Sequence, residues 1–147
     1  MYQRILVPID GSEPSNAGLS EAIKLAQPSG ATVQLMHVVN EYPAVQGGFY
    51  STEVSNALRD RGRNLLTAAE AELTKKGVKF AKSALVDTFE GSIGEVVGER
   101  AKTWPADLVV IGTHGRRGVA RLVMGSDAQT VVRACRVPVL LVHESAA

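Results

Sequence analysis

Five short apolar runs, at residues 5–9, 32–39, 78–86, 108–111 and 137–142, alternate with four amphipathic stretches along a chain of 147 residues. Runs of this length suit strands, and the segments between them carry apolar residues at helical spacing. Leu19, Ile23 and Ala26 share one face of the first segment, and Val54, Leu58, Leu65, Ala69 and Leu73 one face of the second. The third carries Ile93, Val96, Val97, Ala101 and Trp104; the fourth carries Ala128, Val131, Val132 and Cys135. The order β-α-β-α-β-α-β-α-β implies an α/β fold, a mostly parallel sheet with helices on both faces. Right-handed crossovers then favour a single doubly wound domain. In such sheets ligands bind beyond the carboxyl ends of the strands, where the winding reverses.

Local signals punctuate these elements. Pro8 belongs near the end of its strand, because it cannot donate to a ladder. Ser12 is placed to cap the first helix with Pro14 in its first turn, and Gly30 stops it. Residues 40–50 contain Pro43, Gly47 and Gly48 without a clear period and read as a loop. Gly62 weakens the long second helix by roughly 1 kcal/mol relative to alanine, and Gly77 closes it. Ser92 with Glu95, and Ser126 with Gln129, have the spacing of capping boxes.

Composition excludes several classes. A net charge of +1 argues against a large electrostatic footprint for nucleic acid. The single cysteine, Cys135, cannot form an internal disulfide, which fits a reducing compartment. It lies on an apolar helical position, as a buried inert thiol does. No apolar stretch approaches the roughly 20 residues needed to span a bilayer. No signal-peptide pattern precedes the first strand, so a cytoplasmic protein is expected.

The set most indicative of a ligand is Gly112-Thr113-His114-Gly115, then nine residues, then Gly125-Ser126. It reads as a strand ending in glycines, a loop, and a glycine-serine step that opens a helix. Glycine lets backbone approach a bulky anion, and a helix N-terminus offers unpaired N–H groups at the positive end of its dipole. Phosphate is the ligand such a cradle suits. The P-loop pattern G-x-x-x-x-G-K-[ST] is absent, and G-x-G-x-x-G does not follow the first strand. Gly91, Gly94 and Gly98 open an amphipathic helix, where packing or capping explains them. His37 alternates within a strand and reads as a core histidine. The histidines show no metal-ligand spacing.

Together with Ile5-Leu6-Val7-Pro8-Ile9-Asp10-Gly11-Ser12, Leu35-Met36-His37-Val38 and Val137-Pro138-Val139-Leu140-Leu141-Val142, this set makes the chain resemble the universal stress protein family over essentially its whole length. The G-2x-G-9x-G-[ST] spacing marks that family's ATP-binding branch. The resemblance implies an open five-stranded parallel sheet of order 3-2-1-4-5 and ATP with Mg²⁺ as ligand. Asp10 would meet the ribose hydroxyls, and Val38 would offer backbone groups to the adenine edge, with Pro8 and Ile9 lining the pocket. Gly112 and Gly115, with Thr113 and His114 between them, would pass close to ribose and phosphates. Gly125, Ser126 and the N–H of Asp127 would hold the phosphates, and Arg116 is a candidate guanidinium donor. Asp127 departs from the apolar residue common at that position. Either its carboxylate turns to solvent and only its N–H serves the phosphate, or it sits near a divalent cation.

The resemblance implies an ATP-binding stress or signalling module with an unidentified protein partner, and the composition implies no membrane or nucleic-acid role. No general base or P-loop lysine is placed for catalysis. A slow ATPase or autophosphorylating protein is the enzymatic alternative, and a nucleotide-free interaction protein the third. The last apolar run would form an edge strand, and relatives pair that strand with its copy, which implies a C2 homodimer.

Overall fold

The computed structural model describes residues 1–90, 92–113 and 125–144. The strands are β1 (Arg4–Pro8), β2 (Thr32–Asn40), β3 (Lys79–Phe80), β4 (Ala84–Thr88), β5 (Leu108–Thr113) and β6 (Val139–His143). The helices are α1 (Glu13–Ser29), α2 (Tyr42–Gln46), α3 (Thr52–Lys75), α4 (Ile93–Thr103) and α5 (Ser126–Ala134). All described pairings are parallel, in the order β3-β2-β1-β5-β6 with β4 also bonded to β2. This is the expected 3-2-1-4-5 sheet with its third strand broken in two.

The break has a local cause. Thr32 faces Lys79 whereas Met36 faces Ala84, so the edge strand carries one extra residue between its two pieces. Gln34, almost fully buried, fills the gap: its side-chain amide donates to the Lys82 carbonyl at 2.8 Å.

Period-2 alternation divides the core between the two faces. Ile5, Val7, Val33, Leu35, Leu108 and Val110 pack with Leu19, Ile23, Leu66 and Leu73 under α1 and α3. Leu6, Met36, Val109 and Ile111 pack on the other side with Val97, Ala101 and Val131 from α4 and α5. Each large apolar side chain so enclosed contributes about 1.5–3 kcal/mol.

The elements follow the expected signals with four differences. Ser12 caps α1 by accepting from Ser15 N–H, and Gly30 ends it in a left-handed conformation. The stretch expected as a loop contains the one-and-a-half-turn helix α2, with Pro43 in its first turn. The buried face of α3 runs through Gly62, Leu66, Ala69 and Leu73 rather than through Leu58 and Leu65. Gly62 is what rotates it, because a Cβ there would stand 2.6 Å from the His37 ring. The cap of α5 is Gly125, so Ser126 is the first helical residue rather than the capping serine. Val132, expected on the apolar stripe of α5, is exposed.

Gly94 and Gly98 serve helix packing. A Cβ on Gly94 would overlap the Thr130 carbonyl of α5, and one on Gly98 would come within 2.9 Å of the Ala134 oxygen. Gly91 lies outside the described residues. In an open helix Gly→Ala gains roughly 0.5–1 kcal/mol. Here the obstructing atoms are backbone, and overpacking costs about 1–3 kcal/mol. Gly94→Ala is therefore expected to lower the denaturation midpoint in urea, and an unchanged or higher midpoint would contradict this contact.

Candidate functional site

Two strand ends meet where the sheet order reverses, those of β1 and β5. Beyond them lies a cleft whose walled part is about 200 Å³. Pro8, Ile9 and Asp10 enter it from β1, Val38 from β2, Gly112 and Thr113 from β5, and Gly125, Ser126 and Asp127 from the start of α5. Nine residues singled out in the sequence thus share one cavity. His114, Gly115 and Arg116 lie outside the described residues, as does the rest of the stretch to Met124.

The Asp10 loop is held by its own hydrogen bonds. The Asp10 carboxylate accepts from Ser12 N–H at 2.9 Å, and Asp10 N–H donates to Ser15 Oγ at 3.0 Å. One carboxylate oxygen is thereby engaged, and the exposed group keeps acceptor capacity for hydroxyl donors. Ile9 N–H donates to the Met36 carbonyl at 2.8 Å, which extends the β1–β2 ladder to the cleft floor.

Gly112 has a packing role of its own. A Cβ there would overlap the Pro14 carbonyl, because the first turn of α1 lies directly against the end of β5. Thr113, nearly buried, accepts from Gly125 N–H through Oγ1 at 3.2 Å. That bond ties the end of β5 to the start of α5. The Gln129 N–H closes the first α5 hydrogen bond on the Gly125 carbonyl at 3.1 Å. The N–H groups of Ser126, Asp127 and Ala128 precede it and have no acceptor within the helix. They form a set of anion donors beside the cleft, reinforced by the helix dipole.

Asp127 opposes that field. It lies in the first turn of α5 and also lines the cleft, facing Asp10. The helix N-terminus favours its ionised form by about 0.3–1 kcal/mol. Burial of the carboxyl, and then the charge of Asp10, outweigh this and raise its pKa above the ordinary carboxylate value. The residue is exposed overall, so the effect is screened and modest. The Cys135 thiol is half-buried and its pKa is raised by burial, which suits an inert thiol.

Among the described residues, seven that line the cleft were not singled out as site residues: Ser12, Pro14, Ser15, His37, Ile93, Ile111 and Ala128. His37 Nδ1 lies 2.8 Å from the Ile9 carbonyl, so it carries the proton and donates. Its ring sits between the cleft and Gly62 of α3. The signal for His37 was its adjacency to Val38, and that for Ser12 and Ser15 was their place beside Asp10. Ile93 reaches the cleft from a helix far along the chain, and no local pattern marks it.

A doubly wound parallel sheet with a switch-point cleft, bordered by a carboxylate loop on one side and a helix N-terminus on the other, defines a class of small-ligand-binding α/β domains. Comparison makes the assignment specific. The sequence model of the universal stress protein family matches residues 1–143. Universal stress protein MJ0531 of Methanocaldococcus jannaschii is 32% identical, over 98% of this chain and 84% of its own length. A universal stress protein family member from Burkholderia pseudomallei, solved by crystallography, is 31% identical with a TM-score of 0.76, covering 96% of both chains. The Archaeoglobus fulgidus universal stress protein in complex with dAMP shares the fold at 22% identity and a TM-score of 0.65, covering 96% of this chain and 98% of its own. The chain belongs to the universal stress protein family. Among the described residues no helix is long and apolar enough to cross a membrane.

The raised pKa of Asp127 has a stability consequence. A carboxyl whose folded pKa exceeds its unfolded one binds protons more readily in the native state, so its penalty is present at neutral pH and disappears as pH falls. Asp127→Asn is expected to raise Tm at pH 7 relative to wild type, with the two proteins converging below the unfolded carboxylate pKa. Thermal melts across pH 3–8 measure this; a Tm gain that persists at acid pH would point to another cause.

Proposed function

We propose that the protein is an adenine-nucleotide-binding module, with ATP as ligand and without dedicated catalysis. The observation that carries this reading is the convergence of Asp10, Val38, Thr113 and the unpaired N–H groups of α5 on one switch-point cleft. Its walled part is smaller than the roughly 300–1,000 Å³ of typical small-molecule sites. A nucleotide would place its base and ribose between β1 and β2 and its phosphates along the rim at Gly125 and Ser126. The dAMP complex of the Archaeoglobus relative supports adenine as the base. Among the described residues there is no group of three or more potential metal ligands. Mg²⁺ would therefore arrive on the phosphates, with the Asp127 carboxylate as the protein's contribution to its shell. The cation, when bound, neutralises phosphate charge that Asp127 and Asp10 would otherwise repel.

Binding is tested by calorimetry with ATP in the presence of Mg²⁺, and by assaying purified protein for retained nucleotide. Saturable binding is expected, weakened about tenfold or more by Asp10→Ala, which removes a charge-assisted acceptor. No heat and no retained nucleotide at millimolar ATP would refute the reading. Steady phosphate release lost in a Ser126→Ala variant would instead favour the slow ATPase.

We also infer that the protein pairs with a second copy through β6, at the sheet edge opposite β3 and β4. Leu140 is partly exposed there. Light scattering at tens of micromolar is expected to give a dimer mass, shifted toward monomer by Leu140→Lys. A monomer in the wild type would end this proposal.

A further inference from the structure

At the other edge of the sheet, the break between β3 and β4 opens a shallow groove lined by the edge strand itself and by cations from both covering helices. Arg59 and Arg63 reach it from α3 on one face, Arg100 from α4 on the other, and Lys82 from the break. Among the described residues, no acidic one lines it. Charge is partly compensated nearby. Arg59 pairs with Asp87, and Arg63 pairs with Asp60 at 2.9 Å. Glu70 accepts from Ser83 Oγ at 2.9 Å. The Arg63–Asp60 pair is exposed on both sides and so is easily exchanged for another carboxylate. Arg100 is a fixed cation: its Nε donates to the buried Gln34 Oε1 at 2.9 Å, which aims the guanidinium. Among the described residues neither its terminal nitrogens nor the Lys82 ammonium has a carboxylate partner.

The strand between these cations has open backbone groups. The Thr88 carbonyl accepts from Glu41 N–H, so Thr88 turns its polar backbone toward the β2 side. Strand alternation then gives Ala84 and Val86 the same direction and leaves Leu85 and Asp87 facing the free edge. Among the described residues, β4 has no strand on that side. A row of outward N–H and C=O groups flanked by cations on both faces fits an extended chain carrying carboxylates. Backbone pairing would supply affinity, and alternating acidic side chains would meet α3 on one face and α4 on the other.

We propose that the β4 edge is a docking surface for an extended acidic segment of a partner protein, which adds as a strand beside Leu85 and Asp87 with its carboxylates against Arg63, Lys82 and Arg100. The surface lies at the edge of the sheet and shares no lining residue with the nucleotide cleft apart from the strands behind it.

A fluorescein-labelled peptide alternating glutamate and threonine serves as the probe, read by fluorescence polarisation on the full chain. Binding is expected, weakening as salt is raised, and falling about tenfold in the Arg63→Glu, Lys82→Glu double variant. Both residues are exposed, so the variant is expected to keep its fold, verified by an unchanged thermal melt. Hydrogen exchange adds a readout that loose electrostatic attraction would not move: the Leu85 and Asp87 amides gain protection when the peptide binds, while Val86, already facing β2, changes little. The proposal is overturned if the peptide does not bind, if a lysine-threonine peptide binds equally, or if the double variant binds as wild type does. Binding without amide protection, or binding of a single-stranded oligonucleotide in place of the peptide, overturns it as well.

Discussion

The first turn of α1 lies so close to the end of β5 that Gly112 has no room for a side chain, because the Pro14 carbonyl occupies the space. Four residues on, along the same face of α1, a Cβ on Gly18 would come within 2.9 Å of the Gly112 nitrogen. Two glycines therefore let a helix that leaves β1 settle on the strand at the other side of the reversal. The rest of the site follows from that approach. It fixes where α1 begins, and so where the Asp10–Ser12–Ser15 hydrogen bonds form. It also brings the Asp10 loop alongside Thr113, whose hydroxyl holds the start of α5. Gly112 consequently owes its identity to helix–strand packing, and the N–H donors beside the cleft come from the α5 N-terminus.

The architecture was largely legible because its signals are periodic. Continuous apolar runs between helical stripes implied a sheet covered on both faces, and the two core clusters lie on those two faces. What was hidden depended on contacts between distant elements. A one-residue slip on the edge strand cannot be read from residues 78–86, since it arises from how Lys79 and Ala84 each register with β2. The rotated face of α3 depends on the His37 ring beneath Gly62. For the site, motif spacing located the strand end and the helix start, and sheet order brought both to Asp10. Ser126 was misplaced by one position because Thr113 Oγ1, distant in sequence, accepts from Gly125 N–H and holds that glycine at the cap. Ile93 came from a helix whose contact with the cleft has no counterpart in local sequence.

The two edges of the sheet are managed differently. A parallel sheet leaves an unpaired row of backbone groups at each end, and proteins commonly guard such rows with charge or with irregular strands. The β3–β4 edge has both: an extra residue interrupts it, and cations flank it. The β6 edge carries Val139, Leu140, Leu141 and Val142 in succession, followed by His143. Charge on one edge and its absence on the other give the molecule a direction. An apolar edge suits the pairing with a second copy proposed for β6, whereas a cationic edge disfavours such pairing and suits the acidic segment proposed for β4.

Electrostatics within the cleft follow from the same economy of elements. One short helix, α5, supplies both the N–H groups that attract an anion and the carboxylate that resists one. The two act at different ranges. The N–H groups act through directed hydrogen bonds at contact, whereas the repulsion between Asp127, Asp10 and a polyphosphate is long-ranged and falls with salt. A nucleotide with little phosphate charge would take the hydrogen bonds at small electrostatic cost. A triphosphate would take them at larger cost unless a divalent cation travelled with it, and the Asp127 carboxylate then changes from an opponent to a neighbour of opposite charge. An apolar residue at this position would attract free and cation-bound triphosphate with less distinction. In the proposed reading, Asp127 would make the cleft sensitive to the charge state of its ligand.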